Sequence, residues 1–258
     1  MISVVTASYD PVPEYLEAAY ESVVSQELPY GWSLEWVVQE DGAKGRRANE
    51  ILPDHALIQL GGGRKLGVSH TRNLALARAT GELIKNLDQD DVLTPGVIAR
   101  DIDVLTKNAD IQWVTSAALD LLEDGSTVAI GSDPPAGRIN RGHLVNWWRD
   151  RHYSLPVHPT TLCIRRPLAV ALGGWMAMPG SDDTGLLIAA SVVSPGYFHG
   201  DVGLLWRTWP GQVSASAEHT EPTEWNTRMK LISERADALA ALRWSVSGPS
   251  SAAEQAAE

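Results

Sequence analysis

Cysteine is almost absent: Cys163 is the only one in 258 residues, so no internal disulfide can form and a reducing compartment is expected. It stands in the apolar run Thr161-Leu162-Cys163-Ile164, where a buried, inert thiol is expected rather than a nucleophile. No apolar run approaches the length of a membrane span, and Met1-Ile2-Ser3-Val4-Val5 lacks the basic region and long apolar stretch of a signal peptide. The chain is therefore expected in the cytoplasm. Basic residues are in deficit, 21 Lys and Arg against 32 Asp and Glu, and the net charge of -11 argues against a protein that tracks nucleic-acid phosphates. No G-x-G-x-x-G follows the first apolar segment, since Gly61-Gly62-Gly63 comes later, and Gly63-Arg64-Lys65-Leu66 lacks the G-K-[ST] ending of a P-loop. No internal repeat is visible.

What is present is a chain with 44% hydrophobic residues, enough for a real core. Lys44, Arg46, Arg47, Arg64, Lys65 and Arg72 cluster in its first third, which suits a small anionic ligand, although Lys44 to Arg47 read equally well as a solvated surface. The first half alternates strands and helices. Ile2 to Thr6 is short and β-branched; Pro13 opens a helix with Leu16, Tyr20, Val23 and Val24 on one face. Leu34 to Val38 and Leu57 to Leu60 read as strands, Gly67 to Thr80 as a helix ended by Gly81, and Glu82 to Leu87 as the next strand. This order predicts an α/β fold with a mostly parallel central sheet flanked by helices. The second half is less regular: a short helix over Leu144 to His152, strands at Thr161 to Arg165 and Gly203 to Thr208, and a helical stripe at Met229, Ile232, Ala236 and Leu239. The division expected is a ligand-binding first half over 1–110, a second half over 111–225, a C-terminal helix over 226–248, and a disordered tail over 249–258 rich in Ser, Ala and Glu.

In parallel sheets ligands bind outside the carboxyl ends of the strands. Three polar clusters fall on that edge: Thr6 to Asp10, Glu40 to Gly42, and Asp88-Gln89-Asp90-Asp91. Carboxylates at a strand end can serve a hard divalent cation such as Mg²⁺ or Mn²⁺, which takes one or two carboxylates together with substrate phosphates. An aspartate turn capping the next helix is the plain alternative, and the placement at the sheet edge weighs against it.

Four segments in order carry a resemblance: Val4-Val5-Thr6-Ala7-Ser8-Tyr9-Asp10, Trp36-Val37-Val38-Gln39-Glu40-Asp41-Gly42, Gly67-Val68-Ser69-His70-Thr71-Arg72-Asn73, and Asn86-Leu87-Asp88-Gln89-Asp90-Asp91-Val92-Leu93-Thr94-Pro95-Gly96. The chain resembles an inverting glycosyltransferase of family 2, with a GT-A type fold, over its first hundred residues. The resemblance implies a nucleotide-sugar donor, with UDP the usual carrier. It places Thr6, Ala7, Ser8 and Tyr9 beside the nucleoside, Asp41 on the base, and Lys65, Arg72, Asn73 and Gln89 along the nucleotide. Asp88 faces the ribose or a metal-bound water, and Asp90 ligates the cation, Mn²⁺ or Mg²⁺.

Further on, Leu172-Gly173-Gly174-Trp175 resembles the family's Gly-Gly-aromatic turn, and Ser181-Asp182-Asp183-Thr184-Gly185-Leu186 its acidic pair. On that match Asp183 is the catalytic base and Asp182 stands where Glu is usual. Two adjacent carboxylates repel, which raises one pKa and can tune a base. His158 and Trp175 are candidates for acceptor contact, with Trp147 and Trp148 beside the same cleft, although each also reads as core. The acceptor implied is a small molecule or a lipid-linked one. One departure concerns the metal: Leu205-Trp206-Arg207-Thr208-Trp209-Pro210-Gly211 resembles a segment in which a His often completes the site, and here Trp209 stands in its place. Indole cannot ligate a metal, so weaker metal binding is expected unless His219 substitutes. Two alternatives stay open: a nucleotidyltransferase, which usually carries a basic Gly-rich loop where Ala7-Ser8-Tyr9-Asp10-Pro11 stands, and a non-catalytic nucleotide-sugar-binding module.

Overall fold

The computed structural model describes residues 1–42, 45–131, 133–212 and 221–244. Lys44 of the basic cluster, His219 and the 249–258 tail lie outside the described residues.

The first half folds as its alternation predicts. Strand β1 (Ile2–Ser8) leads to helix α1 (Pro13–Val24), with Pro13 in its first turn, where a missing N–H costs nothing. Strands β2 (Leu34–Glu40) and β3 (Ile58–Gly61), helix α2 (Val68–Arg78) and strand β4 (Leu83–Asn86) follow. β3, β2, β1 and β4 are parallel neighbours in that order, so the first connection crosses to one side and the later one returns to the other. Gly81 does not cap α2, which already ends at Ala79; a Cβ on Gly81 would lie 2.6 Å from the Ser3 amide nitrogen, so the glycine lets two backbones meet.

The second half extends the same sheet. Strand β5 (Val92–Leu93) and helix α3 (Val97–Lys107) precede β6 (Trp113–Leu121), β7 (Thr127–Ala129) and β8 (Gly137–Ile139). Helix α4 (His143–Asp150), strand β9 (Cys163–Arg165), helices α5 (Arg166–Ala171) and α6 (Asp182–Val193), strand β10 (Gly196–Arg207) and helix α7 (Pro222–Ala241) complete the described chain. β9 inserts antiparallel between β4 and β6, while β10 lies parallel to β6 and antiparallel to β5. Among the described residues no helix is long and apolar enough to cross a membrane.

Alternation along the strands makes two cores, one per sheet face. Ile2, Val4, Trp36 and Val38 face α1 and α3; Val5, Val37 and Trp113 face α2, α4, α6 and α7. Cys163 is buried, and burial pushes its thiol well up, as an inert thiol requires.

Candidate active site

The carboxyl ends of β1, β2 and β4 come together as expected: Ser8 is in register with Glu40, and Val5 with Asn86. Asp88-Gln89-Asp90-Asp91 turns off the end of β4, with the Asp91 amide donating to the Asp88 carbonyl over 3.2 Å. The Gln89 side chain pairs with the Tyr9 backbone in both directions, accepting at 2.9 Å and donating at 3.1 Å, which fixes the first cluster to the third. The Lys65 ammonium sits 3.6 Å from the centre of the Tyr9 ring, an exposed cation–π pair beside the same edge. Asp41 accepts from the amides of Leu66 and Gly67 at the entry to α2. The Thr6 hydroxyl is buried between the Leu87 carbonyl and the Trp36 indole, so it holds strands together, while the buried Ser8 hydroxyl has no hydrogen-bond partner among the described residues. Ala7, between them, is half-buried at the same strand end.

Arg72 is placed differently from the expectation that it lies along a nucleotide. Its side chain is 5% exposed and is shared between two carboxylates, donating through Nη1 to Asp182 at 2.8 Å and through Nη2 to Asp88. Burial alone would weaken its charge, yet Asp182, Asp88 and Asp183 hold its pKa well above the ordinary value. Arg47 is likewise spent on Glu40, at 2.8 Å and 2.6 Å. Lys65 is thus the best-placed cation at this edge, and Arg72 links it to the acidic pair.

That pair opens α6. Burial pushes Asp182 up to about 6, against the pull of Arg72 and with the repulsion of Asp183. Burial also raises Asp183, opposed by Arg72 and reinforced by Asp88. Asp183 accepts from the Thr184 amide at 2.6 Å and, among the described residues, forms no ion pair. Its position depends on α2. The Asn73 amide clamps the Trp175 backbone, donating at 2.8 Å and accepting at 2.9 Å, and a Cβ on Gly174 (φ +67°) would fall 2.0 Å from the Asn73 oxygen. Asn73 therefore locks the Gly-Gly-Trp turn instead of lining the nucleotide edge. The Trp175 ring is 2% exposed and belongs to the core, which corrects its assignment as an acceptor contact: it has no free face for a sugar. The His158 ring lies tilted against Trp206, with 5.0 Å between centroids; burial lowers its pKa to about 4 although Asp88 and Asp120 pull it up, so it is a neutral imidazole at neutral pH.

The remaining carboxylates of this turn, Asp90 and Asp91, are tied to the end of β10, the segment whose resemblance put Trp209 beside the metal site. The Trp209 indole N–H donates to Asp90 at 2.8 Å. Arg207 donates its backbone N–H to Asp91 and its Nε to the Asp90 carbonyl, both at 2.8 Å, with its guanidinium 4.2 Å over the Tyr15 ring. Tyr15 meets Trp209 edge-on at 5.5 Å. Alternate placement of Arg207 and Trp209 at a strand end was the available signal. Burial raises both Asp90 and Asp91, the latter further through Asp90 and Asp88.

No group of three or more His, Cys, Asp or Glu side chains among the described residues is arranged to hold a metal. The set does fit a cation whose shell is largely completed by phosphate oxygens and water: one Asp90 oxygen is taken by Trp209, the other is left, and Asp88 is 26% exposed at its side.

A mixed sheet with a parallel first half, the Asp88-Gln89-Asp90-Asp91 turn at its switch edge and an acidic pair on a facing helix defines a GT-A type α/β protein. Residues 3–126, just under half of the chain, match the model of Glycosyl transferase family 2. It is 28% identical over 131 residues to the uncharacterised glycosyltransferase MJ1057 of Methanocaldococcus jannaschii, a match covering 49% of this chain and 44% of that protein. The chain thus spans less than half the length of that relative. Crystal structures of S. aureus TarS share the fold. The 1–349 fragment with UDP gives a TM-score of 0.65 at 14% identity over 94% of this chain and 70% of that one. The same fragment with UDP-GlcNAc gives 0.65 at 16% identity over 94% and 71%.

Proposed function

We propose that the protein transfers a sugar from a UDP-linked donor to an acceptor hydroxyl or amine by single displacement with inversion. One observation carries this reading: a single buried guanidinium, Arg72, joins Asp88 at the nucleotide edge to Asp182 of the acidic pair. Donor and acceptor sides are thereby held within the span of one side chain, as in-line transfer requires. The UDP and UDP-GlcNAc named in the TarS structures support the choice of donor.

In this reading the nucleoside lies over Thr6 to Tyr9 with Asp41 at the base, and Lys65 approaches the diphosphate. Asp183 takes the proton from the attacking group, because it is free of ion pairs while Asp182 is bound to Arg72. Raised pKa values in this pair move the base closer to neutral pH, where proton abstraction is most effective. A divalent cation held by Asp90 and flanked by Asp88 would neutralise charge on the departing diphosphate. Asp90 is kept in place for this by Trp209. The non-catalytic alternative makes no use of Asp183.

The test is the anomeric configuration of the product by NMR after reaction with an α-linked UDP-sugar. A β-linked product is expected; a product that keeps the α-linkage excludes single displacement.

A further inference from the structure

A cavity of about 430 Å³ lies beside the acidic pair. Its inner wall includes Thr184, next to Asp183, and His158. The Asp88 charge is felt at His158, so this wall lies within electrostatic reach of Asp88. The Nδ1 of His158 is buried and has no hydrogen-bond partner among the described residues, a polar atom left unsatisfied at this wall. The wall therefore lies where an attacking group would have to sit.

Trp147 and Arg151 line the same cavity from α4 and the turn after it. The Arg151 guanidinium carbon lies over the half-buried Trp147 ring, 3.6 Å from its centre. Its neighbours are committed to the fold: Arg149 donates to Ser233 and Asp237, and Arg141 to the Val192 carbonyl. Arg151 is exposed and, among the described residues, forms no ion pair. The backbone is bent to put it there. His152 (φ 51°) and Tyr153 (φ 65°) are successive left-handed residues bearing a Cβ, an unfavourable conformation of the kind found at ligand sites. The Tyr153 ring is pinned between Trp148 at 4.7 Å and Trp225 at 5.7 Å, so the turn is rigid. Asp133 lines the same cavity, and its exposed carboxylate can accept from hydroxyls.

We propose that this cavity is the acceptor site and takes a polyhydroxylated molecule bearing a phosphate or carboxylate, anchored by Arg151 on Trp147. The assignment rests on the transferase reading above. A guanidinium fork preorganised on an aromatic face suits a planar or tetrahedral oxyanion, and the hydroxyls meet Asp133 and His158. The anionic group stays at the mouth, and the reacting hydroxyl reaches Asp183.

The experiment follows the indole ¹⁵N–¹H resonance of Trp147, assigned with a Trp147→Phe variant, in protein saturated with UDP so that the diphosphate site is blocked. Glucose 6-phosphate, glucuronate and glycerol 3-phosphate are titrated beside glucose and glycerol. The anionic compounds should shift Trp147 and bind at least roughly tenfold more tightly than their neutral parents. Arg151→Ala should erase that preference, and Arg151→Lys should keep part of it. Equal binding of neutral and anionic compounds, an unmoved Trp147 resonance, or an Arg151→Ala protein that keeps the preference overturns the assignment. UDP binding is read separately in the same samples, so failure of the donor reading shows as absent UDP binding, and the titrations without it still report on Arg151.

Discussion

Arg72, in the middle of α2, donates to Asp182, at the first turn of α6, over 2.8 Å. Both side chains are almost wholly buried, at 5% and 3% exposure, and the second arm of the guanidinium reaches Asp88. Removing one partner of such a network leaves uncompensated buried charge. Arg72→Met should therefore destabilise the protein by about 3–5 kcal/mol, read as a fall in the denaturant midpoint. A loss within the error of the melt would mean that the two carboxylates are satisfied by other means.

Asp183→Asn preserves shape but takes no proton. Its kcat should drop by about 10²–10⁴-fold while UDP affinity is kept, because the carboxylate serves the acceptor side. Asp182→Asn should act differently: it loses the Arg72 partner, so stability falls together with turnover. Near-normal turnover in Asp183→Asn would move the base elsewhere.

The pH dependence of stability has a predictable sign. His158 has a folded pKa of about 4 against an ordinary 6.5, so between those values the unfolded chain binds more protons. Stability should fall as pH drops from 6.5 to 4 and then level off, by up to about 3 kcal/mol from this group. Asp182 acts oppositely: raised to about 6 from 3.8, its ionisation costs the fold stability as pH climbs through that window. His158→Gln separates the two. The variant should lose the acid-side decline, seen in urea melts at a series of pH values, and an unchanged profile would show that His158 is not buried neutral.

Trp209 decides how Asp90 is presented. Trp209→His replaces a hydrogen-bond donor with a metal-ligating imidazole, and should raise Mn²⁺ affinity in UDP-bound protein by roughly tenfold, read by electron paramagnetic resonance. Asp90→Ala should abolish that binding. If Trp209→His binds Mn²⁺ no better than the natural chain, Asp90 is not where the cation sits.

The parallel half of the fold was legible because each element there has a local signature. β1 and β2 are β-branched or apolar runs, Pro13 starts α1, and β4 ends directly in the tetrad. The converging clusters followed from strand order alone. β6 went unread because Trp113 to Ala118 is buried on both faces, so no alternation marks it. The twelve residues of β10 were seen only from Gly203 on, since the bulge between His199 and Val202 interrupts the pattern. At the site, residue types were readable but partners were not. Nothing local to Arg72 says that its ligands lie 16 and 110 residues away, or that Asn73 and Trp175 meet across 102. Buried polar networks are set by tertiary placement, and the sequence lists only their members.

The proposed transfer depends first on this sheet edge holding a nucleoside diphosphate. Calorimetric titration of UDP into the protein, with and without Mn²⁺, measures it. Saturable binding with UDP preferred over ADP is predicted; no heat from any nucleoside diphosphate at millimolar concentration would contradict it.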